Sequence, residues 1–190
     1  MDVKTALLKR RTIRKFTQQP IPREDLLELV EYARLAAYPA NLQPLKFAVI
    51  SEKNLCDTVF EITKWAGYLP DGTPKSYERP TAFIAVLGDN SIKKGCEVEA
   101  GAAVTSMMLG ALEKGIASCW IGALARKNII DALNLSEDDF SLLYILALGY
   151  PAQESQACEM QDNDVKYFID ENDKLNVPKR PMDEILVFSK

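Results

Sequence analysis

Six consecutive residues, Ala82-Phe83-Ile84-Ala85-Val86-Leu87, carry no polar side chain. A strand with one wet face alternates polar and apolar residues, whereas a strand apolar on both faces is buried. Arg79-Pro80 opens this run and Gly88-Asp89-Asn90 closes it. The rest of the chain must therefore supply elements that cover it. Helical spacing of Leu26, Leu29, Val30, Ala33 and Ala37 predicts an amphipathic helix started by Pro22, with Glu24 and Asp25 in its first turn. Asp2 is placed to cap a shorter helix ahead of it. Strands are expected at 47–50, 116–122 and 142–148, and helices over 54–65, 96–114 and 126–133, with an N-cap at Ser136. The helix over 96–114 is lined by Ala100, Gly101, Ala102, Ala103, Ser106 and Gly110, small enough for a close neighbour, either a second subunit or the interior. The tail from 152 is polar and weakly periodic.

Helices alternating with strands favour, on pattern alone, a parallel α/β sheet. Yet no GxGxxG follows a strand and no GxxxxGK[ST] occurs, so a bound nucleotide would have to be held by cations and loop backbone. Arg10-Arg11-Thr12-Ile13-Arg14-Lys15-Phe16 offers such cations, four of them within six residues. Guanidinium groups grip phosphate through paired N–H donors, and the threonine hydroxyl adds another. The competing reading is a solvated basic helix end, suited to the negative pole of a helix over 2–9.

Length and composition narrow the remaining classes. The 190 residues suit one domain with a real core, and the net charge of −4 argues against bulk nucleic-acid binding. With no histidine, His-based triads and most catalytic zinc sites are excluded. Cys56, Cys96, Cys119 and Cys158 are too dispersed for a metal knuckle and fit reduced thiols in a cytoplasmic protein. No leader-like or membrane-spanning apolar run is seen, so neither membrane nor nucleic acid is an expected partner.

Taken together and in order, several short motifs resemble the FMN-dependent nitroreductase family over nearly the whole chain. They are the Arg10–Phe16 cluster, Ala33-Arg34-Leu35-Ala36 leading to Asn41-Leu42-Gln43-Pro44, the small-sided helix after Gly101, Cys119-Trp120-Ile121-Gly122, Leu148-Gly149-Tyr150-Pro151, and Pro178-Lys179-Arg180-Pro181. The resemblance implies an α+β fold, a three-layer sandwich with a mostly antiparallel central sheet flanked by helices, in place of the parallel sheet. It implies a single domain over 1–190 in an intertwined homodimer, with FMN at the subunit interface and residues 152–190 as a tail reaching the partner.

Carried over residue by residue, Arg10, Thr12 and Arg14 would face the FMN phosphate, ribityl chain and pyrimidine edge, with Arg11 beside them. Lys179 and Arg180 would complete the phosphate site. Tyr38, Pro39 and Asn41 of the second subunit would border the ring, and Ile121 and Gly122 would lie against it near N5. The chain departs from the family at Ala37-Tyr38, where Pro-Ser is common, and at Leu45, where an aromatic is usual. Its segment between the first two strands is short, which leaves Leu69–Tyr77 as the candidate lid.

The activity so implied moves hydride from NADH or NADPH through flavin N5 to a nitroaromatic, quinone-like or other electron-poor small molecule. The protein's part is position and electrostatics, so no catalytic side chain and no metal is required. Three rivals stay open: a dehydrogenase or dehalogenase on the same fold, a non-catalytic FMN-binding regulator, and a structural dimer whose arginines only form ion pairs. Cys119 reads as a small buried hydrophobe, and Trp120 as core or else as a residue lining the flavin.

Overall fold

The structure is a computed structural model and describes residues 1–189. Along the chain it forms α1 (Val3–Lys9), α2 (Arg23–Arg34), β1 (Leu45–Ile50), α3 (Lys53–Glu61), β2 (Ala82–Asp89), α4 (Glu97–Glu113) and β3 (Ala117–Ile121). After these come α5 (Arg126–Ala132), β4 (Phe140–Gly149), β5 (Ser155–Glu159), β6 (Phe168–Ile169), β7 (Leu175–Lys179) and α6 (Met182–Ile185). Asp2 caps α1, its carboxylate accepting the Thr5 N–H at 2.8 Å. Pro22 is the N-cap of α2, one position ahead of the expected first turn.

The apolar run becomes β2, inside a sheet of order β1-β2-β4-β3. Every pairing in that sheet is antiparallel. This corrects the parallel arrangement that helix–strand alternation suggests and agrees with the α+β sandwich. Periodicity shows which elements exist but not the end from which the chain re-enters the sheet. Here residues 51–81 leave β1 and return to the end they left, and α5 does the same between β3 and β4.

Alternation within β2 feeds two cores. Ala82, Ile84 and Val86 pack with α2 and α4 on one face, while Phe83, Ala85 and Leu87 pack with α3 and α5 on the other. Register against β4 slips once, with Val86 opposite Tyr144 and Leu87 opposite Leu142. The extra residue is Leu143, which therefore joins the α4 face beside Tyr144. On the inward face of α4 the small side chains are used inside the chain. Ala100, Ala103 and Ala111 are fully buried, and a Cβ on Gly110 would stand 2.3 Å from the Tyr32 ring of α2. Lys114, just past α4, bridges to Asp25 and Glu28 of α2, each at 2.7 Å.

Two local expectations change. The third helix stops at Glu61, not near 65, because residues 62–65 turn aside to pair with the loop after β3. Ala125 donates to Ile62 O at 3.2 Å and Lys64 to Ala123 O at 2.9 Å. Ser136 caps one further turn as expected, its Oγ accepting the Asp138 N–H at 3.1 Å. The polar tail is regular: β5, β7 and β6 form a second, three-stranded sheet. Its order comes largely from side-chain hydrogen bonds that periodicity does not register. Asn176 donates to Asp170 at 2.9 Å and accepts from Gln156 at 2.8 Å, around a fully buried Leu175. Among the described residues no helix is long and apolar enough to cross a membrane.

Candidate functional site

The basic segment 10–16 is not a solvated helix end. After the α1 C-cap, where the Arg10 N–H reaches Ala6 O at 2.9 Å, the chain extends along the sheet. Ile13 donates to Ser118 O at 3.1 Å, Phe16 to Glu78 O at 2.9 Å, Thr17 to Tyr150 O at 2.8 Å, and Ala152 to Lys15 O at 2.9 Å. Thr12 bridges to Ser118, and Phe16 to Pro151. Phe16 is fully buried, and only a glycine leaves room for it. A Cβ on Gly149 would lie 2.8 Å from the Phe16 Cβ and ring. Residues 10–15 are consequently half-buried, held between the start of β3 and the chain leaving β4.

A cavity of about 230 Å³ opens there, lined by Lys9, Arg10, Arg11, Ser118, Gln153 and Ser155 over an apolar floor that includes Met108 and Ile116. Burial, and then the neighbouring Arg11 charge, lower the Arg10 pKa. Three cations, Lys9, Arg10 and Arg11, have been brought together, Arg10 partly desolvated, and among the described residues no carboxylate lines the cavity. The Arg11 Nε and the Ser155 Oγ are buried without a hydrogen-bond partner. Orphaned buried donors of this kind are costly unless something else satisfies them. A dianion meets the requirement.

A second cavity of about 190 Å³ lies at the other end of β3, between Arg14, Lys64, Trp65, Ile121, Gly122 and Tyr167. From Ser118 to Gly122 the strand advances roughly 13 Å at ~3.3 Å per residue. One elongated ligand with an anionic end can thus follow β3 from the first cavity to the second. The Trp65 Nε1 here is another buried donor without a partner. Cys119 behaves as a buried hydrophobe, its thiol pushed up to about 11 by burial. Trp120 is not core. It shares a strand face with Ser118 and Gly122, stands 36% exposed, and meets Tyr144 edge-on at 5.0 Å.

The remaining candidates stand elsewhere in the chain. Pro39 and Asn41 form a single 3-10 turn after Tyr38, with left-handed backbone at Ala40, Asn41 and Gln43. The Tyr38 hydroxyl donates to Ala33 O at 2.9 Å. Lys179 ends β7, Arg180 follows it, and neither residue lines either cavity; Arg180 reaches Glu184 at 2.9 Å. Arg10, Arg11, Arg14, Ile121 and Gly122 thus line the two cavities of one chain, Thr12 lines neither but pairs with Ser118 beside them, and Tyr38, Pro39, Asn41, Lys179 and Arg180 are not part of that group. Sequence reasoning missed Ser118, Gln153, Ser155, Trp65 and Tyr167. Gln153, Ser155 and Tyr167 sit in the polar tail, where no motif marks them, while Ser118 is signalled only by its place just before Cys119-Trp120-Ile121-Gly122.

Comparison with known proteins gives a consistent result. A family model described as "Nitroreductase family" matches residues 7–150. A protein of Archaeoglobus fulgidus, provisionally named an NADH dehydrogenase/NAD(P)H nitroreductase, is 26% identical over 80% of this chain and 87% of its own length. Among solved structures, a provisionally named nitroreductase of Desulfovibrio desulfuricans in complex with FMN is 25% identical, with a TM-score of 0.72 over 100% of this chain and 98% of that one. An FMN-dependent nitroreductase of Clostridium difficile is 26% identical, with a TM-score of 0.68 over 85% of this chain and 94% of that one.

Proposed function

This chain belongs to the nitroreductase family, and from that premise we propose that it is an FMN-dependent NAD(P)H oxidoreductase acting on nitroaromatic, quinone-like or other electron-poor small molecules. The observation that carries the reading is the cavity beside β3, where Arg10, Arg11 and the orphaned Arg11 Nε and Ser155 Oγ call for a dianion. A phosphomonoester is such a dianion, and the FMN held by the Desulfovibrio protein carries one. FMN, when bound, supplies the redox chemistry, accepting hydride at N5 from the nicotinamide and passing electrons to the acceptor.

The chain's own residues do the rest. Arg10 and Arg11 hold the phosphate, with the Thr12 hydroxyl turned to the ribityl chain. Ile121 and Gly122 present backbone against the ring. Arg14 sets a positive charge at the pyrimidine edge, where negative charge gathers on reduction. In a homodimer, Tyr38, Pro39 and Asn41 of the second subunit border the ring, and the tail brings Lys179 and Arg180 to the phosphate. The exposed Ile185, Leu186 and Val187 near the end of the tail fit a role against a partner.

Titration of the flavin-free protein with FMN and with riboflavin, which lacks the phosphate, tests this reading. Two charge-assisted contacts at about 1.5–3 kcal/mol each predict FMN to bind at least ~100-fold more tightly. Equal affinities would remove the phosphate from the account.

A further inference from the structure

Arg14 is held in an unusual way for a cation beside a cavity. Among the described residues its guanidinium has no carboxylate within ion-pair distance and no hydrogen bond. Only its backbone N–H is engaged, by Gln153 at 3.3 Å. What faces it is the ring of Tyr167, with the Arg14 Cζ 4.3 Å from the ring centroid. Tyr167 immediately precedes β6, so the contact joins the main body to the tail sheet. The same ring also meets that of Tyr68, with centroids 5.0 Å apart and planes at 52°. Tyr68 is displayed by a tight loop, with Leu69 donating to Ala66 O at 2.9 Å and Gly72 to Leu69 O at 3.3 Å. The loop is compact enough that a Cβ on Gly72 would sit 2.3 Å from the Ala66 Cβ.

The geometry points to Tyr167 as a positioning residue, a ring braced by Tyr68 that holds the Arg14 side chain in the second cavity without neutralising it. This rests on the proposal that Arg14 faces the flavin's pyrimidine edge. An arginine side chain loses considerable rotamer freedom when fixed in one place. A carboxylate could fix it, but would cancel the charge and occupy the N–H donors the ligand needs. A ring face attracts the cation through its quadrupole and uses none of those donors. The second sheet is thereby coupled to the redox properties of the site through a single side chain.

The test is a double-mutant cycle between Arg14→Ala and Tyr167→Leu, read by FMN dissociation constant and by flavin midpoint potential. In the wild-type background, Tyr167→Leu should weaken FMN roughly three- to tenfold, the fold-change matching an ordinary cation–π contact. It should also move the midpoint potential to more negative values. Tyr167→Phe, which keeps the ring, should leave both at wild-type values. In the Arg14→Ala background, Tyr167→Leu should change neither, because Tyr167 acts through Arg14.

Wild-type affinity and potential in Tyr167→Leu would overturn the proposal. An undiminished effect of that substitution without Arg14 would do the same. If Tyr167→Leu does not fold, the Arg14 Nε–H proton resonance of the wild type decides: a ring-current upfield shift supports the contact and an unshifted resonance overturns it. Failure of the underlying reading is distinguishable, since Arg14→Ala alone would then leave both the FMN dissociation constant and the midpoint potential at wild-type values.

Discussion

Arg10→Ala is expected to lower FMN affinity about 10- to 100-fold while leaving the flavin-free protein no less stable than the wild type. The first half follows from losing a charge-assisted contact of roughly 1.5–3 kcal/mol. The second half follows from the sign of the Arg10 perturbation. Burial and the Arg11 charge both lower its pKa, so the charged form is less favoured in the folded chain than in the unfolded one. A base with a depressed folded pKa destabilises the fold at every pH where it is charged, which for arginine includes neutrality. Removing it relieves the fold and empties the site, as expected where stability has been given up for binding. Combining Arg10→Ala with Arg11→Ala should yield a colourless protein. Fluorescence titration with FMN and a urea curve on the same sample check both halves. A large loss of stability with FMN binding intact would make these arginines structural.

Phe16→Ala should produce the largest loss of stability, about 3–5 kcal/mol for a fully buried aromatic. That is a substantial share of the ~5–15 kcal/mol available to a typical domain. Phe16 occupies the space that Gly149 leaves and anchors the extended segment carrying Arg10, Arg11, Thr12 and Arg14. The substitution should therefore weaken flavin binding as well, although Phe16 itself lines neither cavity. Urea midpoints measured with and without FMN separate the two effects. The stabilisation FMN gives the wild type should shrink in the variant. A loss below ~1 kcal/mol would show that the segment is not held by this side chain.

The sheet and its helices were legible because their signals are local. Residues 82–87 of β2 announce burial on both faces, and the positions 26, 29 and 33 announce the buried stripe of α2. Strand direction was not legible from periodicity, since the return of residues 51–81 to the end they left is a tertiary fact. The motif resemblance supplied it. The end of α3 was missed because a loop more than sixty residues downstream captures its backbone. The tail sheet was missed because Asn176, Asp170 and Gln156 hold it through side-chain hydrogen bonds. At the candidate site, charge density marked Arg10–Lys15 in the sequence. Ser155 and Tyr167 became visible only when the fold carried the tail back to that segment.

The most direct measurement of the central claim is the visible absorption spectrum of the purified protein before and after anaerobic addition of NADH, then NADPH. The account predicts a bound-flavin spectrum that bleaches with at least one nicotinamide and returns when an electron-poor quinone or nitroaromatic is added. A flavin spectrum that neither nicotinamide changes would contradict the oxidoreductase. A protein that stays colourless after mixing with FMN and desalting would contradict the site itself.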